Sequence, residues 1–268
     1  MMMNQDMVFC APPFSDMWHE KDPFAEVDAL YGDVVRQMNG RRTMRFEAAG
    51  RGFYLKSHKG IGWKEYLKNV LQFKRPAVGA RDEYHAIRKL ESLGIPTMTP
   101  AAFGERGIIP ATRESFLITE DLTGVVSLED HCRNWRELPP SPAEKNSLIR
   151  ELARTLAVMH GSGMNHRDCY LCHFLLKKEN FPALHVIDLH RAQIRRKVPM
   201  HYLLKDLGGI WFSAMDAGLS RRDVLRFLKY YNGDLRTLDL RFWQKVDRVG
   251  RKLYKKEFGK ESPAVSLC

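Results

Sequence analysis

The chain has 268 residues, 44% of them hydrophobic, and a formal net charge of +11 at pH 7. This length and apolar content suffice for one large domain or two lobes with their own cores. Charged residues interrupt every apolar window before the roughly 18 to 20 residues of a bilayer crossing, and the N-terminal residues show no signal-peptide pattern, so we expect neither a membrane-spanning nor a secreted protein. The five scattered cysteines, an odd number, favour free thiols in a reducing cytosol.

The positive charge is concentrated in the C-terminal quarter of the chain. Residues 191–260 hold 18 Lys and Arg against 7 Asp and Glu. Such a field attracts an anionic membrane surface, nucleic acid or an acidic ligand, and a merely solvated helix face is the alternative. Since no basic and aromatic recognition motif accompanies the charge, we expect no nucleic-acid partner.

The N-terminal segment predicts an irregular arm, a helix and a small sheet. We expect the arm to reach about Lys21, followed by a helix that Asp22 caps and that Pro23 opens. Beyond these residues the hydrophobic period changes to two. That period predicts three antiparallel strands, over residues 33–38, 41–47 and 52–57.

The third predicted strand ends with Lys56, in the stretch FYLKSH. Residues 78–93 have helical spacing, and Glu83 lies on the apolar side of that helix. A carboxylate on a buried face is costly unless a cation pairs with it, so we expect Glu83 to pair with Lys56. In a kinase N-lobe, such a Lys contacts the nucleotide phosphates and is held by a Glu from the next helix. Two unrelated surface charges are the alternative interpretation.

Two further segments are candidates for binding. Residues from about 60 to 75 predict a basic amphipathic helix, which could lie on an anionic membrane, hold an acidic partner or simply pack as an inserted helix. Residues 116–119 predict a short strand, and Glu120, Asp121 and Leu122 follow it. A kinase hinge binds adenine through backbone groups at this place in the chain order. We therefore take Glu120 and Leu122 as cofactor-binding candidates.

A long helix then leads to the segment with the strongest chemical signal. Ser141 caps this helix, with Pro142 at its first position and Glu144 completing a capping box, and the helix runs to His160. The next residues, 165–174, read NHRDCYLCHF.

The triplet His166-Arg167-Asp168 in this segment is typical of a protein-kinase-like catalytic loop, in which the Asp accepts the proton of the attacking hydroxyl. His173 stands five residues after Asp168, where a kinase has a metal-binding Asn. An apolar run over residues 184–187 leads into Asp188, where the metal-binding Asp of a kinase would fall. Two other interpretations compete: a zinc site at H-x2-C-x2-C-H, for which no second ligand pair exists in the sequence, and a surface ion pair of Arg167 with Asp168.

The C-terminal part predicts three helices. A largely buried helix covers residues 203–215, and its Asp206 is placed to hold the catalytic-loop backbone, as the corresponding helix does in kinases. The second helix covers residues 220–231 and opens with Ser220 and Asp223. The third covers residues 240–258, with one apolar face made of Phe242, Val246, Val249 and Leu253.

The chain as a whole resembles the bacterial lipopolysaccharide core heptose(I) kinases, which have a eukaryotic-protein-kinase-like fold. The resemblance covers nearly the full length. It implies an α+β, two-lobed fold with an antiparallel-sheet N-lobe over residues 1–121 and a mainly helical C-lobe over residues 122–268. The stretches that carry it are GRRTMRFEAAGRGFYLKSHKGIGW, YHAIRKLESLGIPTMT, NHRDCYLCHFLL, VIDLHRAQ and KDLGGIWFSAMDAGLSRRDVLRFL.

The resemblance implies ATP-dependent phosphorylation of a hydroxyl, O4 in this family, on the first heptose of the lipopolysaccharide inner core, at the cytoplasmic face of the inner membrane. Asp168 would then act as the base next to Arg167, with Asp188 as the Mg2+ ligand. Lys56 would steady the phosphates and be held by Glu83. His173 would either bind a second metal, for which imidazole is a poor ligand, or hydrogen-bond a phosphate.

Departures from the protein-kinase pattern keep two alternatives open. The chain has no G-x-G-x-x-G loop, Leu189-His190 replaces Phe-Gly, and no A-P-E follows. These departures disfavour protein as the main substrate. The alternatives are a related sugar or small-molecule kinase with another acceptor, and a catalytically dead kinase-fold scaffold that binds an acidic protein partner through its charge.

Overall fold

The computed structural model describes residues 7–38, 40–60, 79–109 and 112–267. By their internal contacts these form two compact units. The first contains the described residues up to Arg88 together with Met98–Thr123, and the second contains Lys89–Thr97 together with the described residues from Gly124 onward. The domain boundary expected between residues 121 and 122 stays a prediction.

The first unit is built on a six-stranded antiparallel sheet with the order β1-β5-β6-β4-β3-β2. The three predicted strands are present as its β2, β3 and β4. Asp22 caps α2 as expected, since its carboxylate accepts from the Phe24 N–H at 3.1 Å. In chain order the elements of this unit are β1 (Met7–Cys10), α1 (Phe14–Met17), α2 (Pro23–Ala29), β2 (Asp33–Met38), β3 (Arg41–Ala48), β4 (Arg51–Lys59), α3 (Arg81–Ser92, which crosses the boundary between the units), β5 (Pro100–Arg106) and β6 (Glu114–Glu120).

The expectation of an irregular N-terminal arm was wrong. Residues Met7–Cys10 form an edge strand, because β5 supplies the hydrogen-bond partners that a short isolated segment lacks. Phe14 is fully buried, and its ring lies 4.9 Å from that of Phe53. The predicted basic helix at about residues 60–75 falls almost wholly on residues outside the described ranges.

The core of the first unit lies between this sheet and the N-terminal elements. Aromatic rings supply much of its volume, and several of them meet edge to face, as the Phe24 and Phe116 rings do at 5.1 Å. The buried members of the core are Phe14, Trp18, Phe24, Val27, Met44, Phe46, Phe53, Leu55, Ala101, Ala102, Phe116 and Ile118.

The second unit is mainly helical and carries two small sheets. The sheets have the orders β10-β9-β7 and β11-β8. Thr97 joins the first sheet through a bridge to Val186, whose carbonyl accepts from the Thr97 hydroxyl at 2.6 Å. Its elements are β7 (Val125–Ser127), α4 (Leu128–Cys132), α5 (Pro142–Gly161), β8 (Met164–Asn165), β9 (Phe174–Lys177), β10 (Leu184–Val186), β11 (Gln193–Ile194), α6 (Met200–Ala214), α7 (Arg221–Asn232) and α8 (Leu240–Phe258).

The cap predictions for these helices hold with one exception. Ser220 and Asp223 form the complete capping box of α7. The Ser141 hydroxyl accepts from the Glu144 N–H at 3.2 Å, which is the first half of the expected box at α5. The Glu144 carboxylate instead lies 3.3 Å from the His131 ring.

The buried face of α8 differs from the predicted one. Its buried residues are Trp243, Val246, Gly250 and Tyr254, whereas Phe242, Val249 and Leu253 are only half-buried. The reason is close packing against α6, since a Cβ on Gly250 would lie 2.7 Å from Trp211. A hydrophobic stripe cannot reveal a contact made through a glycine. Among the described helices, none is both long enough and apolar enough to cross a membrane.

Candidate active site

In the first unit, the expected ion pair between Lys56 and Glu83 is present. Lys56 lies on β4 and Glu83 in the first turn of α3, with 2.7 Å between Nζ and Oε1. The Glu83 side chain is 2% exposed and that of Lys56 is 26% exposed. The carboxylate is therefore buried together with its cationic partner, while the ammonium group retains access to solvent. Their role towards a nucleotide stays a prediction.

The end of β6 carries the two hinge-like candidates. The Glu120 N–H donates to the Thr99 carbonyl at 2.9 Å, and its carboxylate pairs with Arg51. The Asp121 N–H donates to the Gly52 carbonyl, also at 2.9 Å. These two amide groups are used inside the sheet, so adenine contacts from this segment would need other backbone groups. Nucleotide binding by Glu120 and Leu122 remains a prediction.

In the second unit, the catalytic-loop segment is held by Asp206 on α6, as the sequence predicted. Its two carboxylate oxygens accept from the His166 N–H at 2.6 Å and from the Arg167 N–H at 2.8 Å. Asp206 is fully buried, so these charge-assisted hydrogen bonds are strong. Arg167 adopts a φ of 74°, a left-handed conformation that an L-residue keeps only when its surroundings fix it.

Two cations that the sequence reasoning missed surround the Asp168 carboxylate. Arg191 Nη1 donates to both oxygens, at 2.8 and 3.0 Å, and Lys205 Nζ lies 3.7 Å from Oδ1. Arg191 follows Asp188 by three residues, and Lys205 directly precedes Asp206. Neither residue belongs to a hydrophobic pattern or a motif that would indicate its role. The only available signal was the need for cations near the predicted base.

The structure places His173 beside Asp188, as expected of two candidate metal ligands. His173 Nε2 lies 3.6 Å from Asp188 Oδ2, and His190 Nδ1 lies 2.7 Å from Asp188 Oδ1. His173 Nδ1 lies 2.7 Å from the Asp168 carbonyl. A carbonyl only accepts, so His173 Nδ1 donates to it, and the ring directs its Nε2 towards the Asp188 carboxylate.

This donor set suits a cation. A carboxylate oxygen and an imidazole nitrogen that face each other are both able to bind a cation. One carboxylate with one imidazole also leaves most positions of a magnesium ion to water and phosphate oxygens, which is how Mg2+ is usually held beside a nucleotide. The residues present therefore fit Mg2+, and the role of Asp188 as its ligand stays a prediction.

Comparison with known proteins identifies the family. A sequence profile of the lipopolysaccharide kinase (Kdo/WaaP) family matches residues 25–231. The chain belongs to this family. It is thus a kinase, that is, a phosphotransferase, and the resemblance seen in the sequence is confirmed.

Similar members of the Kdo/WaaP family include curated enzymes from two species. The chain is 47% identical over 256 residues to the lipopolysaccharide core heptose(I) kinase WaaP of Pseudomonas aeruginosa PAO1, which covers 91% of this chain and 95% of that protein. It is 49% identical over 232 residues to the enzyme of the same name from Escherichia coli K12, covering 85% of this chain and 88% of that one.

A solved structure gives the same result for the fold. The structure titled "WaaP in complex with acyl carrier protein" matches with a TM-score of 0.80 and 42% identity, covering 92% of this chain and 99% of that one. The predicted α+β, two-lobed protein-kinase-like fold is confirmed.

The cysteines of this Kdo/WaaP kinase are poorly suited to zinc. Burial raises the pKa of the Cys169 thiol well above its usual value and that of Cys172 to about 11. Zinc binds the thiolate form, which burial disfavours at both positions. Within the described ranges, no group of three or more His, Cys, Asp and Glu side chains is arranged to hold a metal ion.

The second unit contains a cavity of about 770 Å³. Its lining includes His160 and Tyr231 together with the cations Arg196 and Lys197. His160 Nδ1 lies 2.8 Å from the Tyr231 hydroxyl, and His160 Nε2 lies 3.4 Å from Asp206. This wall of the cavity therefore reaches the residue that anchors the catalytic loop.

Proposed function

We propose that the protein transfers the γ-phosphoryl group of ATP to the O4 hydroxyl of the first heptose of the lipopolysaccharide inner core. The observation that carries this proposal is the 47 to 49% identity, over 84 to 91% of the chain, to proteins named lipopolysaccharide core heptose(I) kinase. The arrangement of Asp168 and its anchor supports it, since a fixed carboxylate is what a hydroxyl acceptor needs.

The proposed roles follow from phosphoryl-transfer chemistry. The transition state is loose, so the protein mainly positions groups and stabilises charge. Asp168 accepts the proton of the heptose hydroxyl, and Arg167 contributes to the fixed shape of the loop. Lys56, held by Glu83, binds the phosphates of ATP, while the segment from Glu120 to Leu122 binds adenine through its backbone.

Asp188 and His173 would hold Mg2+ in this proposal. When bound, the metal ion neutralises the charge that develops on the phosphate oxygens. Asp188 serves as the oxygen ligand that this hard cation prefers. His173 orients the site from the other side, because its Nδ1 proton is fixed by the Asp168 carbonyl and its Nε2 faces the carboxylate.

The exposed Lys and Arg side chains of α7 and α8 form a basic surface, which favours binding to an anionic membrane. We infer that α7 and α8 present this surface to the lipopolysaccharide core and to the cytoplasmic face of the inner membrane. In the described part of the chain, eight exposed cations of these two helices form no ion pair with an acidic side chain. They are Arg221, Arg222, Lys229, Arg241, Lys245, Arg248, Lys252 and Lys256.

The same surface suits an acidic protein. Since the solved structural relative is titled as a complex with acyl carrier protein, we infer that this chain also binds an acyl carrier protein. Co-purification at low salt that fails when Lys245 and Arg248 are replaced together by Glu supports this inference. Binding that the double replacement leaves intact would place the partner elsewhere.

The membrane inference is tested by co-sedimentation with liposomes. Binding should increase with anionic lipid content and decrease between 50 mM and 500 mM salt, because exposed charges are screened. Binding that depends on neither variable removes the inference.

The activity is tested by incubating the protein with ATP, Mg2+ and dephosphorylated core lipopolysaccharide. We expect mass spectrometry to locate one new phosphate on O4 of the first heptose. Asp168→Ala should lower turnover by roughly 10² to 10⁴ with little change in folding. Phosphate on another sugar would indicate a related kinase with a different acceptor, and no transfer at all would indicate a scaffold.

A further inference from the structure

Two cations lie beside the Asp168 carboxylate, and the proposed role of Asp168 as base does not explain them. Arg191 occupies both oxygens, and Lys205 lies 3.7 Å from one of them. A base must accept a hydrogen bond from the acceptor hydroxyl at about 2.6 to 3.2 Å. Arg191 Nη1 takes up the lone pairs that face it on both oxygens, so the hydroxyl would share the carboxylate with two cations that already lie beside it.

The place to which they can move is set by the geometry of the reaction. The attacking oxygen lies about 3 to 3.5 Å from phosphorus in a productive complex. With the hydrogen bond to the base added, phosphorus lies within roughly 6 to 7 Å of the carboxylate. Arg191 and Lys205 contact this same carboxylate, so their long side chains are able to reach the equatorial phosphoryl oxygens. The negative charge of the transition state is spread over those oxygens.

The side chains of these two cations are more exposed to solvent than the group that holds the loop. The anchoring of the loop backbone is done by Asp206, which is fully buried. The Arg191 and Lys205 side chains are each 40% exposed, whereas that of Asp168 is 17% exposed. The cations thus face the solvent from which substrates arrive. They also come from separate segments, the turn after Asp188 and helix α6, so they reach the carboxylate independently.

We propose that Arg191 and Lys205 are catalytic residues that turn from the Asp168 carboxylate to bind the phosphoryl group during its transfer. The proposal rests on the phosphoryl transfer proposed above. In the step, the bond from the acceptor oxygen to phosphorus forms, and the bond from phosphorus to the bridging oxygen of the leaving diphosphate breaks. The hydroxyl proton passes to Asp168. Arg191 and Lys205 bind most strongly when the charge on the phosphoryl oxygens is greatest.

The test compares kcat with KM in four variants. Arg191→Ala should lower kcat by about 10² to 10³, as loss of one preorganised donor to a transition state does, and KM for either substrate should change less than threefold. Lys205→Gln should lower kcat by about 10 to 10². The charge-retaining variants Arg191→Lys and Lys205→Arg should keep more activity than these neutral ones.

Chemical rescue distinguishes a catalytic role of Arg191 from a structural one. Free guanidinium should restore part of the kcat of Arg191→Ala and none of the kcat of Lys205→Gln. The matched controls are Arg133→Ala and Lys178→Gln, which change exposed cations of the same unit and should leave activity and melting temperature unchanged. If Arg191→Ala does not fold, Arg191→Lys carries the test, because it keeps the charge and loses the two-pronged donor.

The outcomes distinguish this proposal from the function on which it rests. If Asp168→Ala is inactive while the Arg191 and Lys205 variants retain kcat within threefold, the phosphoryl transfer stands and the present proposal fails. A rise in KM alone, or a loss of activity that follows the loss of melting temperature, also overturns it. If the unaltered protein transfers no phosphate, both fail.

Discussion

Replacement of Asp206 by Asn tests how the catalytic loop is held. The carboxylate accepts two backbone N–H groups, at 2.6 and 2.8 Å, in a fully buried position. An amide of the same shape keeps one acceptor oxygen and points an NH2 group at the other donor. One charge-assisted hydrogen bond is lost and one buried N–H is left without an acceptor, at a cost of about 2 to 5 kcal/mol.

For a chain of this size, that free energy corresponds to a melting temperature lower by about 5 to 15 °C. Activity should decrease by at least about 10², because a shift of roughly 1 Å at the base has that effect. Calorimetry and the heptose phosphorylation assay measure the two quantities. Glu179→Gln, on an exposed side chain of the same unit, is the control. If Asp206→Asn melts within 1 °C of the unaltered protein and keeps half its activity, the loop is not held by this carboxylate.

Three further predictions concern other parts of the molecule. Glu83→Gln should lower kcat/KM for ATP by about 10- to 100-fold in initial-rate assays. The free energy of unfolding should change by only about 1 to 2 kcal/mol, because Lys56 remains partly solvated. An equal loss of kcat/KM in the exposed control Asp82→Asn would contradict this. Gly209→Ala should lower stability by about 1 to 3 kcal/mol in denaturant titration and also reduce activity, because its Cβ would lie 2.5 Å from the Cys169 carbonyl. In Gly161→Ala, where nothing lies within 4 Å, stability should stay the same or increase, and a similar loss in both variants would contradict the packing argument. Alkylation of Cys172, whose pKa burial raises to about 11, should be roughly 100-fold slower at pH 8 than that of a free thiol and should accelerate about tenfold per pH unit up to pH 10. Peptide mass mapping measures this rate, and a plateau near pH 8.5 would refute the burial argument.

The sequence predicts those parts of the fold whose causes are local. The three hairpin strands follow from a period of two between turn residues, and the helices after Asp22, Ser141 and Ser220 follow from their caps. The pairing of Lys56 with Glu83 spans 27 positions in the chain. It could still be inferred, because a carboxylate on an apolar helix face needs a cation.

The missed elements depend on contacts between distant residues. Strand β5 begins with Pro100 and contains Gly104, two residues that disfavour a strand by themselves. Gly104 is there because the Phe116 ring occupies the space of a side chain, 2.4 Å from where its Cβ would be. The positions of Arg191 and Lys205 beside Asp168 likewise result from tertiary packing, which a single sequence does not display.

The presence of His173 where protein kinases have Asn has a physical explanation in the hydrogen bonds between the segments that carry Asp168 and Asp188. Ile187 joins them at the backbone, since its N–H donates to the His173 carbonyl at 3.0 Å and its own carbonyl lies 2.9 Å from His166 Nε2. The His166 and His173 rings stack at 5.5 Å with 3° between their planes.

Both imidazoles therefore have fixed orientations, and each directs one ring nitrogen at a backbone carbonyl. The His173 ring fixes the loop with one nitrogen, through the carbonyl of Asp168, and faces Asp188 with the other. The two ring nitrogens of an imidazole are separated by a rigid ring, whereas the oxygen and nitrogen of an Asn amide lie on a shorter side chain. A histidine can thus link the loop that carries the proposed base to the carboxylate proposed to bind the metal ion. This link also fixes the position of Asp168 relative to Asp188 without the Phe-Gly sequence that follows the metal-binding Asp in protein kinases.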